Sequence, residues 1–272
     1  ENAEENNDYN KAVEQFTNAL KVNVESGKAH YQLGLANYRL GLDDSKNYEM
    51  AVENFLNSLK YQENNIDGIM KLGLSYIKLG RFEEAIDQFK LVKELDANNA
   101  LAFYEIGFCN KKLEKLNYAS ESFQISTMLD MTQKSIHEFL NWDDNSSGGN
   151  SYYHLGEVLF KTSGYNASIE ALLQSLALDQ EHQQSFYYLG MAYKNNQDYE
   201  KAIMNLKSAT ELNVDDFNSF MELGKSYFES GQFQQALTPF NEVINIKESE
   251  KVKGDANYYL GLSYFNLAQF NE

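Results

Sequence analysis

The chain has 272 residues, 43% of them hydrophobic and 14% aromatic, with one proline, one cysteine and a net charge of −17. That charge repels a phosphate backbone and argues against a nucleic-acid partner; it suggests a basic one, although acidic surfaces are common without that role. A lone cysteine excludes an intrachain disulfide framework and a cysteine metal site, and no run approaches the roughly 18–20 apolar residues of a membrane span, so direct membrane insertion is not expected.

Residues 1–10 are acidic and Asn-rich, the reverse of a signal peptide with its basic start and apolar middle. Residues 8–22 read as one helix. A Leu/Ile-Gly pair then recurs at Leu33-Gly34, Leu72-Gly73, Ile106-Gly107, Leu155-Gly156, Leu189-Gly190, Leu223-Gly224 and Leu260-Gly261. Three of the six intervals are 34 residues and the other three are 34 plus a short insertion. A fixed period of this size signals stacked supersecondary units instead of one closed core.

The unit is clearest over residues 66–99. Ile69, Leu72, Gly73 and Tyr76 fall at i, i+3, i+4 and i+7, one stripe of a first helix, A. Gly80 suits the left-handed position that ends it. A second helix, B, carries Phe82, Ala85, Ile86, Phe89, Val92 and Leu95 on its apolar face, and 96–99 make a polar turn. In phase, full units run over 27–65, 66–99, 100–133, 149–182, 183–216 and 217–250, with helix B alone at 8–22 and helix A alone in 254–272. Residues 42–46 lengthen the first A–B turn and 251–253 extend the last junction. The insertion 134–148 begins with Ile136, Phe139 and Leu140 at helical spacing and then turns polar.

These residues resemble the tetratricopeptide repeat, whose helix A carries an aromatic, then Leu-Gly, then Tyr, and whose helix B carries Ala-x3-Phe. The helix B pair recurs as Ala12/Phe16, Ala51/Phe55, Ala85/Phe89, Ala119/Phe123 and Ala236/Phe240, with Ala202/Leu206 and Ser168/Leu172 as conservative departures. The helix A aromatic is Phe103, Tyr152, Phe186 or Phe220, but His30, Ile69 and Asn257 replace it elsewhere. The Tyr slot holds Tyr76, Tyr193, Tyr227 and Tyr264, against Asn37, Asn110 and Leu159, and the family's proline after helix B is missing throughout. The resemblance implies an all-α, right-handed α-α superhelix: one solenoid over 1–272, of about six full repeats and a half repeat at each end. Gly and Ala would let the two helices of a unit approach closely, with the large aromatics filling the space beside them. Both ends would expose an apolar face that solenoids normally cap, so the chain is expected to belong to a longer protein, or to be covered at its ends by other protein, self-association included.

The same resemblance places partner contacts on the concave side, lined by helices A. The expected contact residues are Tyr31, Leu35 and Tyr38, then Met70, Leu74 and Ile77, then Tyr104, Phe108 and Lys112, followed by Tyr153, Tyr187 and Met191, with the densest apolar stretch over 66–112. Family members that grip a C-terminal carboxylate use Lys and Asn at the first two positions; Tyr31/Leu35, Met70/Leu74 and Tyr104/Phe108 do not supply that clamp. Gln32, Lys71, Glu105, His154, Tyr188, Glu222 and Tyr259 likewise do not form the Asn ladder of glycosyltransferase-type superhelices. What remains suits an extended segment or amphipathic helix of a protein or peptide partner. Trp142, the only tryptophan, is either a contact anchor or a plug that seats the insertion.

Nothing in the sequence points to catalysis or to a cofactor. The nucleotide-binding, nucleophile-elbow and zinc-protease motifs do not occur. His30, His137, His154 and His182 lack partners at metal-ligand spacing, and Cys109 sits among helix-packing residues. The expected role is a non-enzymatic interaction scaffold or adaptor, with two rivals: a regulatory or substrate-presenting region of a larger enzyme, and a structural subunit of a stable assembly. Compartment stays open, since few cysteines fit the cytosol and a bacterial envelope protein would look the same.

Overall fold

A computed structural model describes residues 2–129, 151–246 and 250–270, so the insertion 134–148 and Trp142 lie outside the described residues. Among those described there are fourteen helices and no strand. They fall into two compact units, Glu1–Gly149 and Asn150–Glu272. The first holds α1 (Asn2–Val22), α2 (Gly27–Leu40), α3 (Lys46–Tyr61), α4 (Ile66–Lys78), α5 (Phe82–Leu95), α6 (Ala100–Lys112) and α7 (Leu116–Leu129). The second holds α8 (Ser151–Lys161), α9 (Tyr165–Leu178), α10 (Gln183–Asn195), α11 (Tyr199–Leu212), α12 (Phe217–Glu229), α13 (Phe233–Asn245) and α14 (Glu250–Phe270). In each unit every helix packs mainly on its neighbours in sequence, pairing as α2–α3, α4–α5 and α6–α7, or α8–α9, α10–α11 and α12–α13.

The Leu/Ile-Gly glycines explain how the hairpins close. A Cβ built on Gly34 would lie 2.7 Å from the Phe55 ring, on Gly73 2.6 Å from Phe89, and on Gly107 2.8 Å from Phe123. In the second unit the neighbours are Leu172 for Gly156 at 2.5 Å, Leu206 for Gly190 at 2.6 Å, and Phe240 for Gly224 at 2.5 Å. Such approaches leave no room for a methyl group, so the glycine and the large helix B side chain are one packing device. Phe55, Phe89, Phe123, Leu172, Leu206 and Phe240 are all fully buried. The small residue one turn earlier, at Ala51, Ala85, Ala119, Ser168, Ala202 or Ala236, is buried too, which lets the backbones come together.

The helix ends repeat in the same register. Ser26, Asn65 and Asn99 cap α2, α4 and α6 by accepting from the backbone N–H of Ala29, Gly68 and Ala102. His182 and Asp216 do so for α10 and α12. At the far end, Gly80 and Gly231 have φ of 72° and 77°. The residue after each donates back five residues, Arg81 to Tyr76 and Gln232 to Tyr227, at 2.9 and 2.8 Å, the bond that closes a left-handed helix end. Glu114, Ser163 and Gln197 occupy the equivalent position with φ of 58°, 63° and 62° and without glycine's freedom. The first hairpin departs: after the longer turn at 42–46, Gly41 is right-handed (φ −62°) and instead makes room for the Tyr48 ring.

Two polar substitutions in the Tyr slot stay satisfied inside. Asn37 and Asn110 are buried, and each side-chain amide donates to the carbonyl one turn back, Leu33 at 3.0 Å and Ile106 at 2.9 Å. Pro239 lies within α13, where it removes one helical N–H donor.

Candidate interaction surface

In the first unit the sequence-derived contact residues separate by accessibility. Tyr31 is half-buried; its ring tilts on Phe55 at 5.9 Å and its hydroxyl donates to Asp67 of α4. Burial, then that carboxylate, push the phenol well above its usual range. Leu35 and Ile77 pack against the core while partly exposed. Phe108 is also partly exposed, with the Lys112 ammonium 5.3 Å from its ring centroid. Tyr38, Met70, Leu74 and Tyr104, in contrast, are buried, at 1%, 3%, 5% and 3% exposure. The Tyr38 ring meets Tyr48 edge-on at 5.4 Å, and Tyr104 tilts on Phe123 at 5.8 Å. The stretch 66–112 therefore presents less open apolar surface than its composition suggests. Every residue from Gly68 to Tyr76 in α4 is buried, Lys71 and Ser75 included.

The second unit keeps its A-helix side chains nearer to solvent. Tyr153 is partly exposed, with its ring 4.8 Å from His154 and 4.7 Å from His182. Burial, then Glu157, raise its phenol pKa. Glu157 itself is buried and accepts from Lys161 at 2.6 Å, with His154 Nδ1 at 3.6 Å. Tyr187 meets Tyr188 edge-on at 5.2 Å, and burial followed by Glu222 and Asp216 push its pKa up to about 12. Met191 follows on the same helix, half-buried. On α12 Phe228 is half-buried, and on α14 Tyr258 and Phe265 are 64% and 61% exposed.

An ionic network links α10 to α12. Lys194 Nζ lies 2.6 Å from Glu222 and 3.5 Å from Glu229, and Lys225 lies 2.9 Å from Glu222. Burial disfavours charge on both Lys194 and Glu222. The opposite charges outweigh it, raising the lysine pKa and lowering that of the carboxyl. Gln183 adds a second link from α10 to α12, donating to Asp216 at 2.7 Å and Ser219 at 3.2 Å. Single-helix periodicity gave no sign of either link, because the partners are about one repeat apart. It also missed His182 as a cap: its Nδ1 accepts from the Ser185 N–H at 3.2 Å, and burial lowers its pKa. The signal was its position, 34 residues before the capping Asp216.

One further concavity lies in the first unit, a cleft of about 540 Å³ among α5, α6 and α7. Ile86, Phe103 and Ile125 line it; the Lys93 ammonium stands 4.4 Å over the Phe103 ring, and Lys90 and Lys115 pair with Asp87 and Glu83. Among the described residues no three His, Cys, Asp or Glu side chains gather as a metal-binding group, and no helix is long and apolar enough to cross a membrane. Cys109 is buried, which raises its thiol pKa and suppresses the thiolate. The surface can thus recognise by shape, aromatic contact and charge.

Models of the tetratricopeptide repeat match residues 1–45, 66–99, 149–182, 183–216 and 219–246. A search of curated proteins gives no significant match. Among solved structures, the C-terminal part of a TPR repeat-containing protein from Cytophaga hutchinsonii superposes with a TM-score of 0.68 at 13% identity, covering 92% of this chain and 95% of its own. YrrB, described as a TPR protein with an unusual peptide-binding site, gives 0.63 at 18% identity, covering 76% and 99%. MamA gives 0.56 at 24% identity, covering 64% and 93%. At these identities the likeness speaks for the fold: an all-α tetratricopeptide solenoid, as the sequence led us to expect.

Proposed function

The chain belongs to the tetratricopeptide repeat family, and on that premise we propose that it is a non-enzymatic scaffold that binds a protein segment along the A-helix face of its second unit. Repeats of this family serve in general as protein-interaction scaffolds, and YrrB is described as having a peptide-binding site. The observation that carries the placement is the row of accessible apolar side chains on successive A helices, Tyr153, Tyr187 and Met191, Phe228, then Tyr258 and Phe265. The Lys194–Glu222–Lys225 network fixes the helices beneath it, so little ordering cost remains when a segment docks. An extended strand or one face of an amphipathic helix would lie across these rings. In the first unit, Tyr31, Leu35, Ile77, Phe108 and Lys112 form a smaller accessible counterpart.

The net charge of −17 favours basic segments. Self-association through the two end helices belongs to the same reading. The test is selection of binding peptides from a random library, followed by titration of the best peptide against the double variant Tyr187→Ser/Met191→Ser. Loss of about 1.4 kcal/mol or more, at least tenfold in Kd, is expected, with the salt dependence of a basic ligand. Unchanged affinity in a folded variant would remove this face from consideration.

A further inference from the structure

The Tyr slot of helix A is filled differently from repeat to repeat. Tyr76 and Tyr227 occupy it with rings that are each 7% exposed, and a cation meets each ring. Arg81, five residues after Tyr76, stands 4.6 Å from its centroid. Lys207, twenty residues before Tyr227, stands 5.6 Å from its centroid. In α6 the slot holds Asn110. Its amide turns back onto the Ile106 carbonyl at 2.9 Å, so the short side chain does not project outward as a tyrosine ring would. Both cations are nevertheless retained: Lys115 follows Asn110 by five residues and Lys90 precedes it by twenty. Asn110, Lys90 and Lys115 all line the cleft of about 540 Å³ among α5, α6 and α7.

The rest of that cleft suits a ring as well. Ile86, Phe103 and Ile106 give it an apolar floor, and the Lys93 ammonium stands 4.4 Å over the Phe103 ring. Lys115 keeps the ion pair that Arg81 makes one repeat earlier, with Glu83 at 3.8 Å in place of Glu49 at 3.5 Å. Arg81 is held by Glu84 too, at 2.8 Å, but the equivalent of Glu84 is Tyr118, which is 65% exposed and lines the cleft. The Lys115–Glu83 and Lys90–Asp87 pairs are exposed, and pairs of that kind contribute little. Their ammonium groups can therefore turn onto a ring at small cost. Lys90, Lys93 and Lys115 balance Glu83, Asp87 and Glu121 around the cleft, within a chain whose net charge is −17. This surface is thus set apart from the acidic remainder that favours basic segments.

We propose that the cleft receives an aromatic side chain, Phe or Tyr, from a segment of a partner protein. The ring takes the place vacated at Asn110, over Phe103 and Ile106, and Lys90 and Lys115 lie against its faces as Lys207 and Arg81 lie against Tyr227 and Tyr76. Two things select that occupant. The slot is one that sister repeats fill with a polypeptide's own tyrosine, and paired ammonium groups complement the negative faces of a ring. A buried aromatic of this kind is a common anchor of protein interfaces. The site lies in the first unit and does not depend on the A-helix face of the second.

Titration of the 272-residue chain with a blocked Gly-Phe-Gly peptide, followed by nuclear magnetic resonance, tests this. The same peptide with cyclohexylalanine keeps the size and loses the π face. The amides of Ile86, Phe103 and Ile106 should shift with the phenylalanine peptide, and the cyclohexylalanine peptide should bind about fivefold more weakly or worse. The double variant Lys90→Gln/Lys115→Gln should weaken the phenylalanine peptide by about the same factor and leave the other unchanged. Asn110→Tyr supplies the ring from within the chain: its melting temperature should rise by about 2 °C or more and the shifts should vanish. Tyr187→Ser/Met191→Ser should leave the shifts as they are, which separates this cleft from the face proposed above. Equal binding of the two peptides, no shift at these amides, or an Asn110→Tyr chain that melts lower or binds as before would overturn the proposal. The same amides shifting on dilution of the chain alone would replace the partner with a second copy.

Discussion

The two units use one repeat differently. In the first, Phe55, Phe89 and Phe123 fill the three glycine slots, and α4 and α6 are buried almost all round. In the second, Leu172 and Leu206 take two of the three slots, and the A helices keep Tyr153, Tyr187 and Met191 within reach of solvent. Both arrangements close their hairpins to the same distances. The lesson is that the period dictates which positions meet within a hairpin, while what packs around each helix decides whether its face becomes core or contact surface.

That contrast can be broken most severely at the keys. Phe89→Ala should cost about 3–5 kcal/mol, the range for large-to-small change at a fully buried aromatic, read by urea unfolding. Leu206→Ala should cost about 3–5 kcal/mol as well, since both residues are completely buried. A loss below 1 kcal/mol at either would mean that the slot is not the closing device described. Approaching the device from the glycine side, Gly73→Ala pushes a methyl group to 2.6 Å from the Phe89 ring and should destabilise by roughly 1–3 kcal/mol. The ordinary helix preference for alanine over glycine would predict a gain there, so the sign alone decides.

The caps sharpen the comparison through pH. Asn65 and Asn99 in the first unit cannot titrate, but His182 in the second must be neutral at Nδ1 to accept from Ser185. Its folded pKa lies below the ordinary 6.5, through burial against a weaker opposing pull from Asp179. The stability it contributes is therefore complete above that ordinary value and lost as pH falls through the folded pKa. His182→Asn should leave stability near its starting value at neutral pH and make the acid-induced loss smaller. Parallel acid melts of the two proteins would exclude this role for the cap. The smallest expected effect is at the left-handed helix ends. Gln197→Gly should gain about 0.5–1 kcal/mol by relieving a φ of 62°, and Gly80→Ala, at 72°, should lose a similar amount.

Much of this was legible in advance because the determinants are local in sequence. The spacing of Leu-Gly and Ala-x3-Phe marks helix pairs, and Gly80 marks a helix end. The contact surface was less legible. Tyr31 and Tyr104 occupy the same repeat position and are both aromatic, yet one is half-buried and the other only 3% exposed. Likewise Leu74 and Met191 share a register, and only Met191 keeps accessible surface. Accessibility is a property of what surrounds a helix on every side, and a one-dimensional pattern records only the helix itself.

By itself, then, the amino-acid order determined the helical class, the period and the glycine–aromatic pairing, since each depends on residues within one turn or one hairpin. The three-dimensional arrangement decided which aromatics remain open and that Lys194 finds Glu222 about a repeat away. Those outcomes depend on burial and on charges meeting across helices, and both arise only once the hairpins are stacked.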